Sequence, residues 1–182
     1  MSDSCKYIVI FPVPEPVLSE LNGFMDKIAE HTHILPPYKK MIPHVTFHRP
    51  IVGISEFKLK NLVESMALQM RQTRMTTCGF FPFGKQYIVL PIQATRGLAT
   101  LWVGVNDLLA RLPEYEHGEY DWDNTLHITV AEKTSVVFDE VWPKIKLIDI
   151  PTFTISVDRV DVWGKPLVGG FWKKIAYYSI AK

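Results

Sequence analysis

The apolar positions along the chain change period several times. Between Tyr7 and Phe11 they run unbroken and are mostly β-branched or aromatic, and Pro12 and Pro14 follow, which predicts a short buried strand and a turn. From Pro16 onward Val17, Leu18, Leu21, Phe24, Met25 and Ile28 recur every three or four residues, the spacing of an amphipathic helix, with Glu15 and Glu20 near its favourable N-terminal end. Pro36, Pro37 and Pro43 break any helix and lead into His44-Val45-Thr46-Phe47, which reads as a strand. Helical spacing returns from Ser55 to Met70 through Phe57, Leu59, Leu62, Val63, Met66 and Met70.

The second half repeats this order. Two apolar runs between Met75 and Ala94, around Pro82-Phe83-Gly84, predict a hairpin whose clearer strand is Tyr87 to Pro91. Leu98, Leu101, Trp102, Val105, Leu108, Leu109 and Leu112 form another helical stripe, closed by Pro113. A polar, acidic loop from Glu114 to Asn124 then gives way to a strand, Leu126-His127-Ile128-Thr129-Val130. Val136 to Ile145 predicts a short helix, and Thr152 to Trp163 with Phe171 to Ile180 a terminal strand pair. No linker or low-complexity tract divides the chain, so residues 1–182 read as a single domain of two intertwined lobes.

Composition narrows the classes of function. With 182 residues, 47% of them hydrophobic and 21% charged, the chain is a globular protein rather than a disordered one. A formal charge of +1 excludes a long basic tract for nucleic acid and leaves local patches such as Lys39-Lys40 and Lys173-Lys174, so any polyanionic ligand is expected to be short. Cys5 and Cys78 give neither a disulfide framework nor a metal-ligand spacing and read as ordinary buried cysteines. Asp3 and Pro12 interrupt the N-terminal apolar run, which lacks the form of a secretory signal, and no stretch approaches the ~20 apolar residues of a membrane span. A cytoplasmic protein is expected.

The candidate chemistry lies in His44-Val45-Thr46-Phe47 and His127-Ile128-Thr129-Val130. On a strand, residues two apart share a face, so each segment aims an imidazole and a hydroxyl together while its apolar residues turn into a core. Two such units facing each other can grip phosphate oxygens from both sides. Phosphodiester cleavage requires the attacking water to lose a proton as the leaving alkoxide gains one. Histidine titrates near neutral pH, so one neutral and one protonated imidazole can divide that work without a metal.

On these residues the chain resembles the two-histidine (2H) phosphoesterases, the superfamily that includes 2′-5′ RNA ligase-like proteins and cyclic nucleotide phosphodiesterases. The resemblance rests on Pro43 to Phe47, on Leu126 to Val130, and on the helix, strand region and helix between them, and it takes in almost the whole chain. It implies an α+β, bilobal fold in which a pseudo-two-fold pair of antiparallel β-sheets lines a central cleft with helices packed outside. It also implies that His44 and His127 are the catalytic acid/base pair and that Thr46 and Thr129 bind the substrate phosphate. The implied substrate is an RNA end or small cyclic nucleotide whose 2′,3′-cyclic phosphate or 2′-5′ bond is hydrolysed, or joined in reverse, with no cofactor. Many relatives carry a basic residue or tyrosine five positions beyond a motif histidine. Arg49 fits that place in the first half, whereas Glu132 holds it in the second with Lys133 following, so Arg49 and Lys133 are the remaining phosphate-binding candidates. Strand parity turns Arg49 away from His44 unless the strand bends before Pro50. No obligate protein partner is expected, and a monomer is the default. The competing class is a non-catalytic RNA-end or nucleotide-binding module that grips phosphate in the same cleft.

Other residues read more plainly. His31, His33, His44 and His48 suggest a metal, yet His44 and His48 on one strand stand about 13 Å apart, too far for a common ion, so no metal is assigned. Tyr38, Phe47, Phe83, Trp122 and Trp163 are available to stack on a base but read first as core or rim residues, and Trp102 as core. Lys85, after Phe83-Gly84, reads as a solvated lysine before a phosphate contact.

Overall fold

The computed structural model describes residues 5–93, 95–110 and 126–181. The elements run β1 (Cys5–Pro12), α1 (Val17–Thr32), β2 (His44–Val52), α2 (Glu56–Gln69), β3 (Thr73–Thr77), β4 (Phe81–Phe83) and β5 (Tyr87–Gln93). They continue with α3 (Arg96–Ala110), β6 (His127–Glu132), α4 (Phe138–Ile145), β7 (Thr154–Val157), β8 (Arg159–Pro166) and β9 (Lys173–Ser179). The strands form two antiparallel sheets. One has the order β2-β1-β8-β9; in the other β5 is paired with β6 on one edge and with β3 and β4 on its other edge, and β3 pairs with β7. The motif strands β2 and β6 are therefore edge strands of different sheets, and they pack against each other. This is the α+β, two-sheet architecture that the resemblance implied.

Alternation along the central strands divides their faces. Tyr7, Val9 and Phe11 of β1 and Ile88, Leu90 and Ile92 of β5 enter the main hydrophobic core. Helix α1 packs on α4 and β6 and buries Phe24, stacked on Phe80 at 5.7 Å and edge-on to Phe153 at 6.0 Å between ring centres. Helix α2, capped by the Ser55 hydroxyl accepting from the Lys58 N–H, packs on β8 and β9. Its apolar stripe is narrower than the spacing suggested: Leu59, Val63, Met66 and Met70 are buried, but Phe57 is 74% exposed.

The structure departs from the sequence reading in three further places. The hairpin of residues 75–94 is three strands, because β3 and β4 lie end to end along the same edge of β5, with Gly79 at a positive φ between them. The expected strand Thr152 to Trp163 is split at Asp158 into β7 of one sheet and β8 of the other. The buried positions record the break: Ile155 and Val157 are followed by Val160 and Val162, a slip of one residue in the alternation. Cys78 is exposed rather than buried. The acidic loop, Leu112, Pro113 and Trp122 lie outside the described residues. Among the described residues no helix is long and apolar enough to cross a membrane.

Candidate active site

The two motif strands are built alike. His44 pairs with Pro12 of β1, and His127 with Pro91 of β5. In both, the residue after the proline donates its N–H to the carbonyl before the histidine: Val13 to Pro43 at 3.1 Å and Ile92 to Leu126 at 2.8 Å. Both histidines thus occupy non-hydrogen-bonded pairs of their ladders, where facing side chains stand closest, and each proline, having no N–H, costs that ladder nothing. Two residues on, Thr46 pairs with Ile10 and Thr129 with Val89. Ile10 and Val89 are fully buried yet belong to the opposite face from the main core, so they form an apolar floor beside each threonine.

Each strand then carries a one-residue bulge at the same point. In β2 the register passes from Thr46 opposite Ile10 to His48 opposite Val9, leaving Phe47 extra; in β6 it passes from Thr129 opposite Val89 to Ala131 opposite Ile88, leaving Val130 extra. A bulge shifts the alternation by one. Val130 and Ala131 are consequently both buried, and Glu132, which strict alternation would turn from His127, shares the half-buried side of His127 and Thr129. Arg49 follows His44 by five positions as Glu132 follows His127, but β2 has a second irregularity between His48 and Ile51, so the backbone of Arg49 is not paired as that of Glu132 is.

The imidazoles differ in their surroundings. Nδ1 of His44 donates to the Ile42 carbonyl at 2.7 Å, which fixes the proton on Nδ1 and leaves Nε2 as the acceptor of the neutral ring. Burial pushes the His44 pKa below the ordinary histidine value; the Ile42 carbonyl opposes this, and repulsion by His127 adds to it. His127 is stacked with Phe83, with ring centres 5.5 Å apart and planes at 27°, a contact joining β6 to β4 across β5. Glu132 is ion-paired with Lys40, which lies just beyond the 3-10 turn Pro37–Lys39 that leads into β2. A lysine of the first half thereby stands at the second motif. Lys133 is exposed, with a left-handed backbone (φ 60°), at the start of the next 3-10 turn.

The packing of β2 on β6 brings together the strands that carry His44 and Thr46 and His127 and Thr129, while Lys133 lies just beyond the end of β6. Phe83, read first as core or rim, touches a motif histidine; no local spacing in the sequence signals that contact, nor that of Lys40 with Glu132. Phe47 is core, edge-on to Phe11 at 4.9 Å. The Tyr38 hydroxyl donates to Asp26 at 2.7 Å. Lys85 is paired with Asp139 at 2.8 Å, both exposed. His31 donates Nδ1–H to the Lys27 carbonyl, and His33 caps α1 through its backbone. Among the described residues no three His, Cys, Asp or Glu side chains converge as a metal site would require.

No family model matches the sequence, and no curated protein matches it either. Solved structures do match its fold. A phosphoesterase aligns over 100% of both chains with a TM-score of 0.64 at 14% identity. Escherichia coli LigT in complex with phosphate aligns over 100% of both chains with a TM-score of 0.61 at 16% identity. The protein TT0787 of Thermus thermophilus aligns over 96% of this chain and 97% of its own with a TM-score of 0.64 at 18% identity. The chain shares the fold of these proteins from end to end.

Proposed function

We propose that the chain is a two-histidine phosphoesterase that hydrolyses the 2′,3′-cyclic phosphate or 2′-5′ phosphodiester of a nucleotide or RNA end by metal-independent acid/base catalysis. The observation that carries the reading is the matched pair of His-x-Thr strands, in equivalent registers on adjoining edges of two sheets. Purely structural strands have no need of that polar pair. E. coli LigT, which shares the fold, has been seen with phosphate, 3′-AMP, ATP and NADP+, which favours a nucleotide phosphate as the ligand class.

In this reading the phosphate sits between the motifs, its oxygens accepting from the Thr46 and Thr129 hydroxyls. His44, neutral and held by the Ile42 carbonyl, takes the proton of the attacking water at Nε2. His127 gives a proton to the leaving ribose oxygen. Arg49 adds positive charge in the first half; in the second, Lys40 tethered by Glu132 and Lys133 supply it. The chain is read as one domain acting as a monomer in the cytoplasm.

The test is turnover of 2′,3′-cyclic nucleotides and 2′-5′-linked dinucleotides by the full chain, with chelator present. Chelator-resistant turnover that disappears in His44→Ala and in His127→Ala supports the proposal. Binding of these ligands without turnover would replace it with a phosphate-gripping module.

A further inference from the structure

The face of the four-stranded sheet that carries His44 and Thr46 continues beyond them. Cross-strand partners point to one side of a sheet, so the row Thr46, Ile10, Asp161, Tyr177 lies on one face across β2, β1, β8 and β9. Neighbouring rows add Arg159 and, opposite each other beyond a bulge in β9, Trp163 and Lys174. Asp161 stands two strands, about 10 Å, from Thr46. It is 0% exposed, and neither carboxylate oxygen has a hydrogen-bond partner among the described residues. Arg159 Nε lies 3.0 Å from one oxygen, out of line for a hydrogen bond, and Lys174 Nζ 3.9 Å from the other, both side chains about two-fifths exposed. Lys174 also lies over the Tyr177 ring at 5.6 Å, and the buried Trp163 indole N–H has no partner among the described residues.

A buried carboxylate so poorly hydrogen-bonded is a costly way to fill a place that an apolar residue like its neighbour Ile10 would fill at no cost in desolvation. What it does here is hold two cations on the motif face, each with part of its surface open, beside two aromatic side chains. Cations that track a backbone, interleaved with aromatic platforms, are what single-stranded nucleic acid requires. We propose that this face of β8 and β9 binds a single-stranded RNA segment continuing from the phosphate at the motifs, Arg159 and Lys174 contacting its phosphates and Trp163 and Tyr177 its bases. The inference rests on the phosphate site proposed above and selects an RNA end over a free cyclic nucleotide as the substrate. Asp161 is a positioning residue for the two cations.

The experiment compares the affinity of the full chain for a short single-stranded RNA ending in a 3′-phosphate with that for a nucleoside 3′-phosphate, in wild type, Lys174→Gln and Arg159→Gln/Lys174→Gln. The RNA is expected to bind more tightly. That advantage should fall about tenfold in the double variant, and the salt dependence of RNA binding should lose roughly 0.7 in log–log slope for each cation removed. An advantage absent in wild type, or unchanged in both variants, overturns the inference. Lys174→Gln, on a partly exposed side chain, decides the matter if the double variant does not fold. A chain that binds no nucleoside 3′-phosphate refutes the phosphate site itself, whereas one that binds it with no RNA advantage refutes only the track.

Discussion

The two halves share a frame and differ in what they hang on it. Both have proline opposite histidine, an apolar floor beside threonine and a bulge three residues beyond histidine. Away from the motifs they part. The motif face of the four-stranded sheet carries Arg159, Asp161 and Lys174, while the neighbourhood of His127 carries Phe83 and the imported Lys40. In the proposed mechanism the two histidines work on opposite sides of one phosphorus, which calls for matched frames, whereas the proposed RNA track lies on one sheet only.

That comparison can be broken first at the histidines. His44→Ala and His127→Ala should each lower kcat on a 2′,3′-cyclic nucleotide about 10²–10⁴-fold with little change in thermal melting. A large loss in one and not the other would deny their equivalence. Thr46→Val and Thr129→Val remove hydrogen bonds to a charged phosphate and should each reduce kcat/KM about ten- to a hundredfold, read from steady-state kinetics. Lys40→Ala should raise KM several-fold, because it leaves Glu132 facing the phosphate unneutralised, and Glu132→Gln should not. The smallest effect is expected of Phe83→Leu, which loses a ring contact worth about 0.5–1.5 kcal/mol and should lower kcat no more than about tenfold, read from steady-state kinetics.

Acidity separates the halves in another way. The folded state holds the His44 pKa below its unfolded value of about 6.5. Between those two values the unfolded chain binds the extra proton, so stability is complete above about 6.5 and declines as pH falls toward the folded pKa. Thermal melts across this range should show the decline, and His44→Gln should flatten it. The acid limb of kcat/KM, in turn, should lie below the ordinary histidine value.

Much of this architecture is legible because it is written in local periods. The helical stripe from Val17 to Ile28, the alternation around His44 and His127 and the prolines before β2 each act within a few residues. Features that depend on remote partners are not. Lys40 meets Glu132 across 92 positions of sequence, and the Asp161 cluster joins strands whose pairing no single segment specifies. The bulges are not legible either: a bend before Pro50 is only a condition for Arg49 to face the site, and nothing local marks the matching bulge in β6. The break at Asp158 leaves a slip in alternation, yet Ile155, Val157, Val160 and Val162 on either side all favour strand and disguise it.

That break has a mechanical consequence. Asp158 alone separates β7 from β8, and its carbonyl accepts the Ile180 N–H at 2.8 Å. Two links of chain span at most about 7 Å, so the sheets are stitched together at this seam, and prising them apart there means tearing β7 from β3. The spacing of the two sheets at this point is thus fixed by two covalent links and one backbone hydrogen bond, so a residue inserted beside Asp158 would loosen the junction without touching either motif strand.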